Sequence, residues 1–154
     1  MKLEQNRRQL LRGVLAAAAG LVMAGSVFAA FAQNQDATGK AGIQILKVPE
    51  DLVPGDGMRG EITGKVTGLA SFKGYWVSIY SLGGGNWWVQ PTEAEPLTPI
   101  GAGGEFSAEI HGGEEFAVFL VKDTFKPAAK VEQLPKLGGE VLARDRKKPE
   151  KGRK

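Results

Sequence analysis

Tyr75-Trp76-Val77-Ser78-Ile79-Tyr80-Ser81-Leu82, then Gly83-Gly84-Gly85-Asn86, then Trp87-Trp88-Val89-Gln90-Pro91 is the stretch whose reading decides the fold. The first eight residues alternate two sets, Tyr75, Val77, Ile79 and Ser81 against Trp76, Ser78, Tyr80 and Leu82, and successive side chains of a strand point to opposite faces. A glycine-rich connection between two such runs reads as a β-hairpin. Parity separates Trp87, which runs with Val89, from Trp88, which runs with Gln90. It also sets Trp76, Ser78 and Tyr80 against the apolar pair Val77 and Ile79. Trp76, Tyr80 and Trp88 are therefore expected to face outward, and Trp87 to be buried.

Working outward, Gly42 to Val48 alternates as a first strand stopped by Pro49, and Pro54-Gly55-Asp56-Gly57 forms a loop before a second strand over Arg59 to Leu69. Within it Gly64 shares parity with Ile62 and Val66, leaving a gap that a large neighbour, a Trp for instance, would fill. Thr92 to Gly104 is a proline-bearing loop with one short edge segment near Ile100. Glu105 to Ile110 alternates with Phe106, Ala108 and Ile110 inward. Glu114 to Val121 is almost continuously apolar, as in a central strand covered on one face and partly shielded on the other. Lys126 to Leu137 is irregular, and Gly139 to Arg144 supplies a last strand. Six or seven short strands with turns about every ten residues and no amphipathic helix predict an all-β domain, a single immunoglobulin-like or fibronectin-like β-sandwich. A small open barrel satisfies the same strand count.

Composition agrees: of 154 residues, 22 are glycine and 8 proline, which supplies many turns, and no cysteine offers a disulfide, a thiolate metal site or a catalytic thiol. Four of the 20 basic residues and one of the 17 acids lie in the first 32 positions, leaving 16 of each sign in the rest of the chain. Residues 144–154 hold seven bases against two acids, so the intervening body is acidic. The basic character thus belongs to the two ends, which argues against a nucleic-acid-binding face.

Asn6-Arg7-Arg8-Gln9-Leu10-Leu11-Arg12, the Ala/Gly/Leu/Val run from Gly13 to Ala32 and the closing Ala30-Phe31-Ala32 have the order of a signal peptide. The paired arginines resemble a twin-arginine export signal, with Leu10 where phenylalanine is usual and Arg12 where lysine is. That resemblance implies delivery to the periplasm or beyond. The predicted organisation is a signal peptide over 1–32, a disordered N-terminus over 33–41, the sandwich over 42–143 and a basic disordered tail over 144–154, with no integral membrane segment after cleavage. Retention of the leader as a membrane anchor is the alternative.

The run of Gly64 to Leu69, Trp76 to Tyr80, Trp87 to Pro91, Gly104 to Ser107 and Phe119 to Val121 looks like the uncharacterised β-sandwich accessory modules of secreted bacterial proteins. Such modules often accompany carbohydrate-active or surface domains. The resemblance supports the fold and carries over no ligand residue.

Chemistry is sparse. His111 is the one histidine, with Glu109 two residues before it, and fits a structural or solvated turn role better than zinc binding. Glu114 with Glu115, and Glu93 with Glu95, read as solvated acids rather than a glycosidase pair in so small a domain. Glu50, Asp51 and Asp56 lack the spacing of a helix-loop-helix calcium site. No catalytic residue, metal site or cofactor is expected. The expected function is a non-catalytic envelope binding or interaction module recognising a glycan or protein partner through Trp76, Tyr80 and Trp88, with the basic tail on anionic envelope polymer. A structural or stress-type envelope protein without a small ligand is the alternative.

Overall fold

The computed structural model describes residues 40–150 apart from 51, 53 and 56. The leader, positions 33–39, Asp51, Asp56 and the last four residues lie outside the described residues. Among those described there is no helix, and nine strands follow in order: β1 Gly42–Lys47, β2 Arg59–Thr67, β3 Tyr75–Gly83, β4 Asn86–Gln90, β5 Leu97–Thr98, β6 Glu105–His111, β7 Phe116–Lys122, β8 Lys130–Val131 and β9 Val141–Lys147.

They form two antiparallel sheets packed face to face. One has the order β1-β2-β6; the other runs β8-β4-β3-β7-β9, with β5 also paired to β3. The chain changes sheet after β2, after β5 and again after β6, the crossing pattern of immunoglobulin-like and fibronectin-like sandwiches. The domain is an all-β sandwich. Strands β4 and β5 occupy successive stretches of one side of β3, β4 against Ile79 to Gly83 and β5 against Val77 and Ser78, and a cis Gln90–Pro91 bond opens the excursion between them.

The inter-sheet core sets Ile43, Ile45, Ile62, Val66, Phe106 and Ile110 of the three-stranded sheet against Val77, Ile79, Phe116, Val118 and Leu120 of the larger one. Where Gly64 pairs with Phe106, a Cβ would overlap the Phe106 ring and the Gln44 carbonyl oxygen, so the gap anticipated there is filled by a phenylalanine across the ladder rather than a tryptophan.

The opposite face of the larger sheet is covered too. Tyr80, Trp87, Val89, Ala117, Phe119, Val121 and Val141 form a second buried cluster, roofed by Phe125, Ala129, Val131 and Leu134. The stretch after β7 acts as a strap for this cluster: Phe125 and Leu134 pack against it, and between them the chain joins the edge of the sheet as β8, where the Val89 N–H donates to the Ala129 carbonyl at 2.9 Å. Every residue from Phe116 to Val121 is buried, so the face expected to be only partly shielded is covered as fully as the other.

The C-terminal boundary differs from expectation. The tail expected to begin at 144 instead continues β9 through Lys147, with Asp145 opposite Val118 and Lys147 opposite Phe116. Its charges have fixed partners: Asp145 Oδ2 accepts the Ile45 N–H at 2.8 Å, Arg146 Nε donates to Glu115 Oε1 at 2.9 Å, and Lys147 Nζ donates to the Leu46 carbonyl at 3.1 Å. Charged side chains are what an edge strand carries, and composition alone does not separate that from a solvated tail.

Candidate functional site

The three aromatic residues expected on one face are divided between two. Across the hairpin Ser81 pairs with Trp88 and Ile79 with Gln90, while Tyr80 pairs with Val89 and Leu82 with Trp87. Directly paired residues share a face. Trp88 therefore lies on the side of Ile79 and Ser81, and Tyr80 on the other. Tyr80 is fully buried, and Trp76 is half-buried against the same strap-covered cluster, so neither forms the outward ring that alternation predicted. The alternation itself is real; the strap covers the side that looked free. Burial pushes the Tyr80 phenol above its ordinary pKa, against smaller opposing effects of the Ser78 hydroxyl and the Ala128 backbone. Neither comes within hydrogen-bonding geometry, and the Tyr80 and Ser78 hydroxyls are both buried without a partner.

Trp87 and Trp88 fall as parity indicated. Trp87 is 6% exposed and has the Arg146 guanidinium 5.2 Å from its ring centroid; Trp88 is 45% exposed. Trp88 shares the lining of a pocket with Gly57, just before β2, and with His111 and Gly112, at the end of β6. The hairpin that carries it turns on Gly84 and Gly85, whose φ values of 60° and 76° are those of a tight two-residue turn favouring glycine. The indole Nε1–H is satisfied internally by the Gly83 carbonyl at 3.0 Å, which fixes the ring. Its flat apolar surface remains for contact, with Lys130 Nζ 5.2 Å from the centroid in a cation–π arrangement.

Beside the ring opens a pocket of about 660 Å³, lined among others by Trp88, Ser81, Gln90, Glu93 and His111. Its polar wall is organised by Gln90. Only 4% exposed, this amide donates from Nε2 to Ser81 Oγ at 3.0 Å, while Oε1 receives the His111 backbone N–H at 3.1 Å and faces His111 Nδ1 at 3.3 Å. One side chain thereby bridges the two sheets, from near the end of β3 to the end of β6. Arg59 Nε approaches His111 Nε2 from the far side at 3.4 Å.

Of the structural or solvated turn role expected for His111, the structural half fits: it occupies the pocket wall, and its ring is engaged at both nitrogens. Glu109, its expected companion, stands exposed opposite Glu61 on the outer surface of the smaller sheet. Gln90 and Ser81 are the residues that sequence reasoning missed. The signal for them was two polar residues within strands whose neighbours are apolar. Among the described residues no group of three or more His, Asp or Glu side chains comes together in a way that would hold a metal ion, and no helix is long and apolar enough to cross a membrane. Comparisons with protein-family models, with curated proteins and with solved structures find no match to this chain.

Proposed function

We propose that this protein is an exported, non-catalytic binding module of the bacterial envelope that takes a glycan on Trp88. The observation carrying the reading is an exposed tryptophan whose orientation is fixed by the Gly83 carbonyl and which borders a pocket with a buried polar wall. A flat aromatic surface suits the C–H faces of a sugar ring, and nearby hydrogen-bonding groups suit its hydroxyls. Within the pocket Ser81 contacts Gln90 rather than His111, an arrangement that supports binding there rather than nucleophilic chemistry. Export rests on the leader, and attachment to anionic envelope polymer rests on the basic residues beyond β9.

Burial of Tyr80 and Trp87 favours the alternative of a structural envelope protein in one respect, since it removes these rings from any ligand. The two readings separate on immobilised envelope glycan. Retention of the purified protein, lost on Trp88→Ala in a variant that stays folded and melts only the few degrees lower that about 1 kcal/mol implies, is the expected result. Equal retention of both proteins, or none of either, would leave the structural reading standing.

A further inference from the structure

The direction of the hydrogen bonds around Gln90 is fixed from both sides. A guanidinium donates and never accepts, so His111 Nε2 receives Arg59 Nε and the ring proton resides on Nδ1, facing Gln90 Oε1. The His111 backbone N–H, which also only donates, reaches the same oxygen. Two independent donors therefore settle the orientation of the amide, and its Nε2 must donate to Ser81 Oγ. The Ser81 proton is then turned away from Gln90, and no acceptor among the described residues takes it. Ser81 is 4% exposed and lines the pocket. The sequence Arg59, His111, Gln90, Ser81 is a one-way chain that begins on a permanent cation and ends on an unclaimed O–H at the pocket wall, each bond polarising the next.

A second cation stands at the ring: Lys130 Nζ lies over Trp88. Against these two positive groups the described residues of the pocket lining include one carboxylate, Glu93, which is exposed to solvent. A ligand resting on Trp88 accordingly meets a hydroxyl proton backed by Arg59 and an ammonium beside the ring. Resting on the glycan-binding reading above, we infer that the occupant is an acidic glycan, a carboxylate-bearing sugar whose ring lies on Trp88 while its carboxylate accepts from Ser81 and is attracted by Lys130.

The test is calorimetric titration of the purified protein with a trigalacturonate and with its methyl ester, which keeps the sugar rings and removes the charge. The acid should bind roughly tenfold more tightly than the ester at low salt, as a hydrogen bond to a charged group outweighs a neutral one, and the preference should shrink at high ionic strength. Lys130→Gln should bring the ratio towards one without altering the melt, and Ser81→Ala should weaken the acid more than the ester. Equal binding of acid and ester, or a preference unaffected by Lys130→Gln, overturns the acidic-ligand inference. So does binding of neither probe; if Trp88-dependent retention on envelope material persists in that case, the glycan-binding reading survives alone. Loss of that retention overturns both.

Discussion

The Asp145 carboxylate accepts the Ile45 backbone N–H at 2.8 Å, so a side chain of the last strand closes the edge of the first across 100 residues of sequence. Arg146 and Lys147 add contacts to Glu115 and to the Leu46 carbonyl. Ending the chain at Ala143 removes all three and uncovers one edge of β7. At roughly 1 kcal/mol for each contact, before any lost packing, the cost is on the order of 3 kcal/mol or more. Ending it at Lys147 should change stability by no more than about 0.5 kcal/mol, while weakening salt-sensitive adhesion to an anionic polymer. Urea melts of both truncations measure the first effect, and retention at low and high salt the second. A stable chain ending at Ala143 would show that β9 contributes little beyond its first residues.

The paired tryptophans should respond oppositely. Trp87→Ala opens a cavity between the larger sheet and its strap and strips the Arg146 contact, with an expected loss of about 3–5 kcal/mol. Trp88→Ala removes a half-exposed ring at the open end of the sandwich and should cost about 1 kcal/mol, with its main effect on ligand retention. Thermal melts of the two variants decide the matter, and a larger loss for Trp88 would invert the assignment.

Tyr80 buries a hydroxyl that has no hydrogen-bond partner. Removing such a group relieves an uncompensated desolvation of about 1–3 kcal/mol, so Tyr80→Phe should leave stability unchanged or raise it. Because the folded-state pKa of Tyr80 is raised, the unfolded chain loses this proton first as pH climbs. The corresponding stability is complete below about pH 10 and falls away above it. Tyr80→Phe should flatten the alkaline limb of a stability–pH curve recorded from pH 8 to 11.5. An unaltered limb would place the alkaline sensitivity elsewhere.

Export predicts a mature chain starting at Gln33, since Ala30-Phe31-Ala32 supplies the small-x-small cleavage site. Mass spectrometry of periplasmic or secreted protein should find that N-terminus. Lysine at both Arg7 and Arg8 should block the twin-arginine route, whereas undiminished export of that variant would assign the general one.

Much of the sandwich was legible because its strands carry unmistakable alternation, as in Val77 and Ile79, or unbroken apolar runs, as in Phe116 to Val121. The split of Trp87 from Trp88 followed from parity alone. Which side of β3 faces water did not. Alternation distinguishes two sides of a strand but does not say what lies over either, and the cover on Tyr80 comes from Phe125, Ala129, Val131 and Leu134, whose spacing matches no regular period. The pocket was hidden for a related reason: Gln90 and His111 stand 21 residues apart and meet only because two different sheets end side by side.

The strap over the larger sheet also sets an order of events in time. Amide protons of β7 lie beneath two layers, so they exchange with solvent only when the whole domain opens, whereas those of the β3–β4 hairpin tip are released by local fraying. The hairpin tip beside Trp88 is accordingly expected to open far more readily than β7, and to do so without disturbing the strands that hold the fold.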